Sequence, residues 1–354
     1  MKALITSGGK GTRLRPITHT QNKHLIPIAN KPILYYALDT IAETGITEVG
    51  IVTNQEGNEV RNDLKDGSRW GVKISYIEQS APLGLAHVIK ISEDFIGDEP
   101  FIFYLGDNMV VGGVKRFIDA FEQDNVNCFL TLARVKDPER FGVPEIKGNR
   151  IVSVEEKPAV PKSKFAVAGI YIYDHTIFEA VNNIKPSNRG ELEISDAHQY
   201  LLEHGYKVGY SEITGWWKDT GKPADLLEAN RLVLEHLEPT AQLGVVKDSM
   251  LAGNVIIGEG TEIINSNIRG PVIIGKHTRI EHSYIGPFTS IYNDCIVKNS
   301  EVEFSIVLSQ CQIIDVGIRI ESSILGNDVQ IVKAKEKPAT HKFMIGDQSR
   351  VELV

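Results

Sequence analysis

Through the first 240 residues, short apolar runs alternate with longer segments in which apolar positions recur at helical spacing. The apolar runs predict strands buried on both faces: Lys2–Thr6, Val49–Thr53, Phe101–Leu105, Cys128–Val135 and Phe165–Tyr173. The helical spacing predicts helices at Pro32–Thr44, Leu85–Ile91, Ile194–Glu203 and Glu228–Leu237. Because buried strands that alternate with helices are typical of a parallel sheet covered by helices, this part of the chain predicts an α/β domain.

From about Leu243 the pattern changes, and aliphatic residues recur every five or six positions: Ile257, Ile263, Ile268, Ile274, Ile280, Ile285, Ile291, Val297, Val302, Leu308 and Ile313. A longer repeat of 17 residues relates two sets: Ile257, Ile274, Ile291 and Leu308, and Ile263, Ile280, Val297 and Ile314. Such a repeat predicts a parallel β-helix with three short strands per coil, and it resembles the hexapeptide repeat of left-handed β-helices. We therefore expect two domains, 1–240 and 241–354, joined by a linker at Glu238-Pro239.

The composition excludes several classes of protein. The chain has 354 residues and a net charge of −8, which argues against nonspecific nucleic-acid binding. No apolar run approaches the ~20 residues of a membrane span, and the N-terminus carries no signal-peptide pattern. Cys128, Cys295 and Cys311 are far apart and lack metal-binding spacing, so we expect them to be core residues. These features favour a cytoplasmic protein.

A glycine-rich loop with basic residues follows the first predicted strand. Three glycines can bring the backbone close to a ligand, and their N–H groups can bind anions: Gly8, Gly9 and Gly11. Arg13, Arg15 and Lys23 add positive charge that suits a polyphosphate. The dinucleotide fingerprint and the Walker loop both fit poorly, because Leu14 stands where a third glycine would be and no Gly-Lys-Ser/Thr ends the loop. The loop predicts a nucleoside triphosphate site, and the alternative is an ordinary turn with surface arginines.

The run from Gly8 to Leu14, Gly-Gly-Lys-Gly-Thr-Arg-Leu, is followed by Lys-His-Leu-Ile-Pro from Lys23. Together they resemble the signature of the sugar-1-phosphate nucleotidylyltransferases. The resemblance covers about residues 1–240 and is greatest to the long forms that use dTTP and glucose 1-phosphate. It implies a mostly parallel, Rossmann-like nucleotide-diphospho-sugar transferase domain. It also implies Mg²⁺-dependent, in-line attack of α-D-glucose 1-phosphate on the α-phosphate of dTTP, which gives dTDP-glucose and pyrophosphate.

The resemblance assigns roles to the basic loop and to two aspartates. Gly8, Gly9, Gly11 and Thr12 would bind the nucleotide with Arg13, and Arg13 and Lys23 would stabilise charge in the transition state. Asp107 follows the predicted strand Phe101–Leu105, and ligands bind at the carboxyl ends of such strands. A carboxylate there can hold Mg²⁺ against phosphate oxygens. The family metal ligands match Asp107 and Asp219, although each aspartate taken alone could belong to a turn.

Further motifs imply a sugar-phosphate site and a base-recognition loop. In relatives, residues at the positions of Glu156 and Lys157 bind the sugar hydroxyls and the phosphate, and we expect Lys157 to be buried. Residues expected to line the same pocket are Gly142, Val167 and Trp217. Phe141 stands where many relatives have tyrosine, which removes a hydroxyl.

Gln79 offers a donor and an acceptor suited to thymine or uracil, and Gly84 would allow the base to approach. The segment Arg189-Gly190-Glu191-Leu192-Glu193-Ile194 is another family match, without an atom-level role.

Three alternatives stay open. The same chemistry could use UTP with glucose 1-phosphate or N-acetylglucosamine 1-phosphate. The β-helix could add acetyl transfer, for which His277 and His282 are candidate bases, although a histidine on such a coil is more often a surface residue. The third alternative is a binding protein that kept the fold but lost the activity. The main interpretation is an enzyme with a nucleoside triphosphate and a sugar 1-phosphate as partners, with neither nucleic acid nor membrane, and with a β-helix that supports a homo-oligomer.

Overall fold

A computed structural model describes residues 1–55, 57–238, 243–334 and 340–353, and contacts divide the chain into two compact units. The first unit comprises Met1–Lys10, Asn22–Leu25 and Ile33–Asp219, and the second comprises Gly11–Gln21, Ile26–Pro32 and Thr220–Val354. The predicted domain boundary at residues 240 and 241, and Pro239 of the predicted linker, lie outside the described residues. That boundary therefore stays a prediction.

A seven-stranded sheet forms the centre of the first unit. Its strands are ordered Val208–Glu212, Cys128–Arg134, Phe165–Tyr173, Phe101–Leu105, Lys2–Thr6, Glu48–Thr53 and Lys73–Glu78. All pairings within it are parallel except those of Phe165–Tyr173, which runs antiparallel to both of its neighbours. The five predicted strands are confirmed to within one residue. The strands at the two edges are less apolar than the central ones, and the pattern did not predict them.

Helices cover the sheet and bury its two apolar faces. The described α-helices are Ile33–Ala42, Asn58–Leu64, Leu85–Lys90, Glu93–Ile96, Lys115–Asp124, Ile177–Asn183, Ile194–Glu203 and, in the second unit, Pro223–Glu235. The first helix begins after Pro32, not at it, because Pro32 pairs with Pro27 in a small antiparallel bridge. The last begins five residues before its predicted start, since Pro223 occupies the first turn, where its missing N–H costs nothing.

Shorter elements complete the first unit around the carboxyl edge of the sheet. Gly142–Lys147 pairs with Arg150–Glu156, and Asn108–Val110 pairs with Trp217–Asp219, both antiparallel. The described 3₁₀ turns of this unit are Lys23–Leu25, Ser68–Trp70 and Pro138–Arg140, whereas the turns Thr12–Leu14 and Ile17–His19 belong to the second unit. Three of the short strands begin or end at predicted site residues, which are Gly142, Glu156, Trp217 and Asp219.

The second unit contains a parallel β-helix of three sheets, the arrangement expected for the predicted left-handed β-helix. The six-stranded sheet contains Val245–Lys247, Glu262–Ile264, Arg279–Glu281, Ile296–Lys298, Gln312–Ile314 and Gln330–Val332. One five-stranded sheet contains Met250–Ala252, Asn267–Arg269, Tyr284–Ile285, Glu301–Glu303 and Ile320–Glu321. The other contains Val255–Ile257, Val272–Ile274, Thr289–Ile291, Ile306–Val307 and Ile324–Leu325.

Ten of the eleven positions of the aliphatic repeat belong to the core of the β-helix as predicted, whereas at the eleventh, Leu308, the neighbouring Val307 takes that place. All eleven positions of the five-or-six-residue repeat, from Ile257 to Ile313, are at most 2% exposed. The 17-residue register holds as far as Ile291 and Val297, but it is then wrong by one residue. Ile291 pairs with Val307 instead of Leu308, and Val297 pairs with Ile313. The coil that follows Ile291 is therefore one residue shorter than the coils before it. The core still closes, because an aliphatic side chain, Val307, fills the inward position.

A polar cluster within the second unit ties a helix and a short hairpin to the β-helix. Asn230, on helix Pro223–Glu235, is fully buried. Its Oδ1 accepts hydrogen bonds from the Ala29 N–H at 2.8 Å and from the Ser290 hydroxyl at 3.0 Å, and its Nδ2 donates to the Phe288 carbonyl at 3.0 Å. Asn30 Nδ2 also donates to the Ile291 carbonyl at 2.7 Å. The hydrogen-bonding capacity of the buried amide is thus well used.

Two further predictions concern the cysteines and the membrane. Cys128, Cys295 and Cys311 are buried and unpaired by disulfides, as expected of core residues. Among the described helices, none is both long enough and apolar enough to span a bilayer.

Candidate active site

The candidate site lies where neighbouring parallel strands of the first unit end. The chain leaves Lys2–Thr6 at Ser7, whose N–H donates to the Val52 carbonyl at 2.7 Å. It leaves Phe101–Leu105 at Gly106, whose N–H donates to the Thr6 carbonyl at 3.1 Å. A Cβ on Gly106 would lie 2.2 Å from that carbonyl oxygen, so only glycine allows this approach. The next residue, Asp107, is thereby held at the carboxyl edge of the sheet.

Lys23 and Asp107 form an ion pair at this edge. Both side chains are largely buried, with 16% and 15% of their surface exposed. The Lys23 side chain lies close above the glycine loop, because a Cβ on Gly9 would come within 2.7 Å of Lys23 Cε. Asn108 Nδ2 donates to the other oxygen of Asp107 at 3.0 Å. The structure thus brings these two predicted site residues into contact, and their membership of a catalytic site and their roles stay predictions.

The protonation states of this cluster follow from burial and charge. Burial alone would raise the pKa of the Asp107 carboxyl, but the Lys23 ammonium, together with the neighbouring His24 and the hydrogen bonds from Lys23 and Asn108, holds that pKa well below its usual range. Burial, together with the neighbouring Lys23 charge, lowers the pKa of His24 to about 3. At neutral pH the site therefore contains a carboxylate, an ammonium and a neutral imidazole.

Asp219 lies beside Asp107 through strand pairing. In the antiparallel pair, Asp219 is opposite Asn108, the residue that follows Asp107. Burial raises the pKa of the Tyr171 phenol above its usual range, and three carboxylates raise it further: Glu156, Asp107 and Asp219. All three carboxylates are thus within electrostatic reach of one hydroxyl at the centre of the sheet.

Asn108 organises the residues around this pair of aspartates. It is 2% exposed, and its Oδ1 accepts a hydrogen bond from Trp217 Nε1 at 2.7 Å and from the Gly169 N–H at 3.3 Å. A Cβ on Gly169 would lie 2.9 Å from the Asn108 side chain, which explains the glycine in the Phe165–Tyr173 strand. Val167, on the same strand, is 7% exposed and packs in the apolar core, so its predicted contact with sugar stays untested.

The donor set around Asp107 fits Mg²⁺. Among the residues that the structure describes, no group of three or more His, Cys, Asp or Glu side chains could enclose a metal by itself. Two carboxylates, Asp219 on a strand and Asp107 just before the strand that pairs with it, are nevertheless what Mg²⁺ uses when substrate phosphates supply the remaining oxygens. Asp107 is ionised, as a metal ligand must be.

Glu156 is the centre of a second cluster of polar residues. Its carboxylate accepts a hydrogen bond from the Ser195 hydroxyl at 2.7 Å, and it pairs with Lys157 Nζ at 3.0 Å and with the Arg189 guanidinium at 3.5 Å. Gly142 pairs with Glu156 across the hairpin, and a Cβ there would lie 2.6 Å from Ser195 Oγ. The prediction that Lys157 is buried is wrong, since its side chain is 40% exposed.

A cavity of about 600 Å³ opens beside Glu156 and Lys157. Its volume lies in the range of small-molecule sites. Charged side chains of both signs line it: Glu155, Glu156, Lys157, Lys162, Arg189, Glu193 and Asp196. Cations of this kind suit a phosphate, and carboxylates suit sugar hydroxyls. Phe141, which lacks the tyrosine hydroxyl of many relatives, instead makes an edge-to-face contact with Trp217 at 5.6 Å between ring centroids.

The predicted base-recognition loop has a defined structure. Gln79 follows the strand Lys73–Glu78, and its N–H donates to the Thr53 carbonyl at 2.8 Å. Its side-chain Nε2 donates to the Gly84 carbonyl at 3.3 Å and contacts His87 Nδ1 at 3.2 Å. Gly84 has φ of +99°, and a Cβ on it would lie 2.4 Å from the Leu192 carbonyl oxygen. The glycine is required here by the backbone itself.

The glycine loop is divided between the two units. Gly8 and Gly9 belong to the first, whereas Gly11, Thr12 and Arg13 belong to the second. Gly11 has φ of +60° and precedes the 3₁₀ turn Thr12–Leu14, in which Thr12 and Arg13 are exposed. Their predicted contacts with nucleotide stay predictions.

Sequence reasoning did not find Ser195 or the buried Glu193. Glu193 is 7% exposed and accepts hydrogen bonds from the Ser187 hydroxyl at 2.7 Å and from Arg189 Nη2 at 2.7 Å. The signal was present in the match over Arg189-Gly190-Glu191-Leu192-Glu193. The partners of Glu193 lie four and six residues away, whereas the partner of Ser195, Glu156, lies 39 residues away.

Comparisons with known proteins agree with this geometry. A family model described as nucleotidyl transferase matches residues 2–236. A glucose-1-phosphate thymidylyltransferase from Streptomyces griseus is 50% identical over 354 residues, and one from Streptomyces antibioticus is 47% identical over 355. Each alignment covers 100% of this chain and 99% of the relative. A Bacillus anthracis crystal structure described as a glucose-1-phosphate thymidylyltransferase with sucrose matches with a TM-score of 0.64 at 38% identity, over 68% of this chain and 98% of that one.

Proposed function

The chain belongs to the nucleotidyl transferase family, and we propose that it transfers a thymidylyl group from dTTP to α-D-glucose 1-phosphate, which gives dTDP-glucose and pyrophosphate. The proposal is carried by Asp107 and Asp219, which lie close together with Lys23 beside them. The cavity at Glu156 belongs to the same unit. The substrate pair is supported by the whole-length relatives, which are thymidylyltransferases acting on glucose 1-phosphate.

The reaction needs positioning and neutralisation of charge. The sugar phosphate is already an anion, so no general base is required, and its oxygen attacks the α-phosphorus as the bond to pyrophosphate breaks in line. We assign Arg13 and Lys23 to the negative charge that builds on the α-phosphate and on the leaving group. Lys157 holds the sugar phosphate, and Glu156 accepts hydrogen bonds from sugar hydroxyls. Ser195 and Arg189 hold the Glu156 carboxylate in place for that role.

A divalent cation, Mg²⁺, fits the donor set, with Asp107 and Asp219 as its protein ligands. When bound it would neutralise phosphate charge and polarise the α-phosphate. The residues of this chain prepare for it by keeping Asp107 ionised, because the Lys23 ammonium holds the pKa of that carboxyl low.

Selection of the base is assigned to Gln79 and Gly84. Gln79 is held by Gly84 and His87, so its carboxamide is oriented before a base arrives. An amide that can donate and accept matches the N3–H and carbonyl of thymine or uracil. UTP is therefore the competing substrate, and thymine preference rests on the relatives.

The proposed reaction is tested by product and by exchange. Full-length protein with dTTP, glucose 1-phosphate and Mg²⁺ should yield dTDP-glucose and pyrophosphate in equal amounts. Single displacement also predicts that labelled pyrophosphate exchanges into dTTP only when a sugar phosphate or nucleotide sugar is present. Exchange with dTTP and pyrophosphate alone would contradict direct attack, because it would require a nucleotidyl-enzyme intermediate.

The β-helix supports a structural role, and we assign residues 241–354 to oligomerisation and stability. His277 and His282, the candidate bases for acetyl transfer, stand at coil corners with φ of 53° and 48°. Their backbone N–H groups bond the preceding coil, at the Glu259 and Ile264 carbonyls. Light scattering should report a mass above 39.2 kDa for the full chain, and a lower mass after truncation at Pro239. Acetyl transfer from acetyl-CoA that His277→Ala abolishes would contradict this role.

A further inference from the structure

One segment of the first unit contacts both predicted substrate sites. It comprises residues 187–195 and is called here the bridging segment. It begins after the helix Ile177–Asn183 and continues into the helix Ile194–Glu203. The positioning of Glu156 for the proposed chemistry uses only part of its dense set of polar contacts.

At one side, the bridging segment fixes the base-recognition loop through backbone hydrogen bonds. The Leu192 N–H donates to the Leu83 carbonyl at 2.8 Å, and the Leu192 carbonyl accepts from the Ala86 N–H at 3.1 Å. Gly84, between these two loop residues, approaches Leu192 so closely that a Cβ would clash with its carbonyl oxygen. The conformation of the loop beside Gln79 therefore depends on where Leu192 lies.

At the other side, the same segment fixes Glu156. The Ser195 hydroxyl donates to Glu156 Oε2 at 2.7 Å, and the Arg189 guanidinium lies 3.5 Å from Oε1. The two oxygens of the carboxylate that we assign to the sugar are thus each held by the bridging segment. A shift of this segment would move Glu156 as well as Gly84.

Glu193 links residues at both ends of the bridging segment through its hydrogen bonds. Its buried carboxylate accepts hydrogen bonds from Arg189 Nη2 at 2.7 Å and from the Ser187 hydroxyl at 2.7 Å. The Ser187 N–H also donates to the Glu191 carbonyl at 2.8 Å, which closes a tight loop. Charge-assisted hydrogen bonds of this kind are strong, and here they lie between the Leu192 contacts and the Glu156 contacts.

We propose that the bridging segment couples the two substrate sites, with Glu193 as its positioning residue. Binding of nucleotide at the Gln79 loop orders Leu192 and, through Glu193 and Arg189, the Glu156 carboxylate. Sugar phosphate then binds to an already ordered site and loses less conformational entropy, and by linkage the reverse holds equally. The inference rests on the proposed function for the identity of the two substrates.

The test is the interaction factor between the substrates, which is the ratio of the apparent KM for glucose 1-phosphate at low dTTP to that at saturating dTTP. In the full-length wild type we expect a factor of about five or more, within the usual range of allosteric coupling. Glu193→Gln keeps the size of the side chain but removes the charge that holds Arg189, and the factor should fall to within about twofold of one. Glu203→Gln, at the far end of the helix that begins directly after Glu193, changes an exposed carboxylate; it is the matched control and should keep the wild-type factor.

A second measurement needs no turnover. With dTTP alone, hydrogen exchange should slow at the Lys157 amide, which donates to the Phe141 carbonyl at 2.9 Å beside Glu156. The slowing should be lost in Ser195→Ala, which removes only one hydroxyl and preserves the buried Glu193. A purely structural effect of Glu193→Gln would instead raise both KM values and leave the interaction factor unchanged.

The outcomes separate the coupling from the function. A wild type that makes dTDP-glucose with an interaction factor near one overturns the coupling and leaves the proposed function standing. Exchange at Lys157 that does not respond to bound dTTP also overturns the coupling. A wild type that binds dTTP and slows exchange at Lys157, but uses a different sugar phosphate, supports the coupling while the proposed acceptor fails.

Discussion

Lys23 and Asp107 pair at the carboxyl edge of the sheet. Lys23 begins the 3₁₀ turn Lys23–Leu25, and Asp107 is the second residue after the strand Phe101–Leu105. The ammonium keeps the pKa of the carboxyl below its usual range in spite of burial. The pair therefore supplies, before any substrate arrives, an ionised metal ligand and a cation suited to phosphate. This relationship underlies the first prediction.

Asp107→Asn should lower kcat by roughly 10²-fold or more, the scale of losing one strong electrostatic stabiliser. The amide keeps the size of the side chain but removes the charge that binds Mg²⁺, so activity should also need more Mg²⁺. Initial rates of pyrophosphate release across a Mg²⁺ series measure both effects. Asp119→Asn, whose carboxylate forms an exposed pair with Lys115, is the control. Full activity of Asp107→Asn at ordinary Mg²⁺ would remove this aspartate from the site.

Lys157→Ala and Arg13→Ala should affect different kinetic constants. Lys157→Ala should mainly raise KM for glucose 1-phosphate, because its contact is made in the ground state and in the transition state alike. Arg13→Ala should mainly lower kcat, because its charge is needed most as the α-phosphate reacts. Full kinetic matrices for both variants make the comparison, with Lys147→Ala, an exposed lysine paired with Glu145, as the control. If Lys157→Ala raised only the KM for dTTP, the two sites would be assigned the wrong way round.

Buried neutral histidines should make stability fall below about pH 6.5. Burial lowers the pKa of both His24 and His198 to about 3, so between these values the unfolded chain binds a proton that the folded chain does not. Each histidine then destabilises the fold by about 1.4 kcal/mol per pH unit as the pH decreases. Urea unfolding of His198→Phe at pH 6.5 and 5.5 should show a correspondingly smaller loss of stability than the wild type. An unchanged slope would mean that His198 is already charged in the folded state.

Asn230→Leu should reduce the free energy of unfolding by about 3 kcal/mol, since it leaves the Ala29 N–H and the Ser290 hydroxyl buried without a partner. Asn183→Leu, which loses one exposed hydrogen bond to the Glu179 carbonyl, is the matched control and should change stability by less than about 0.5 kcal/mol. Denaturant unfolding monitored by circular dichroism gives both values. Equal stabilities of the two variants would show that the Asn230 cluster contributes nothing beyond a surface contact.

Much of the fold followed from the sequence because burial alone determines it. Ile263, Ile280 and Val297 had to point inward in a β-helix, and they are almost wholly buried. The pairing of Ile291 with Val307 could not be read from the pattern, since Val307 and Leu308 are both aliphatic and both buried. At the site, the family resemblance placed Lys23 and Asp107 in one predicted site, but residue types did not predict that their side chains pair. They could not reveal that Leu192 holds the Gly84 loop, because backbone hydrogen bonds between distant segments leave no signature in side-chain chemistry.

The central claim is thymidylyl transfer to glucose 1-phosphate, and the most direct test is kcat/KM for pyrophosphate release across dTTP, UTP, ATP and GTP, each with glucose 1-phosphate and with N-acetylglucosamine 1-phosphate. Purines should be used poorly, because the Gln79 loop matches the pyrimidine edge. dTTP should exceed UTP by about tenfold or more, the discrimination that one methyl group can give in a fitted pocket. dTTP with glucose 1-phosphate should therefore be the best pair. A higher kcat/KM for UTP with either sugar phosphate would contradict it and identify the protein as a uridylyltransferase.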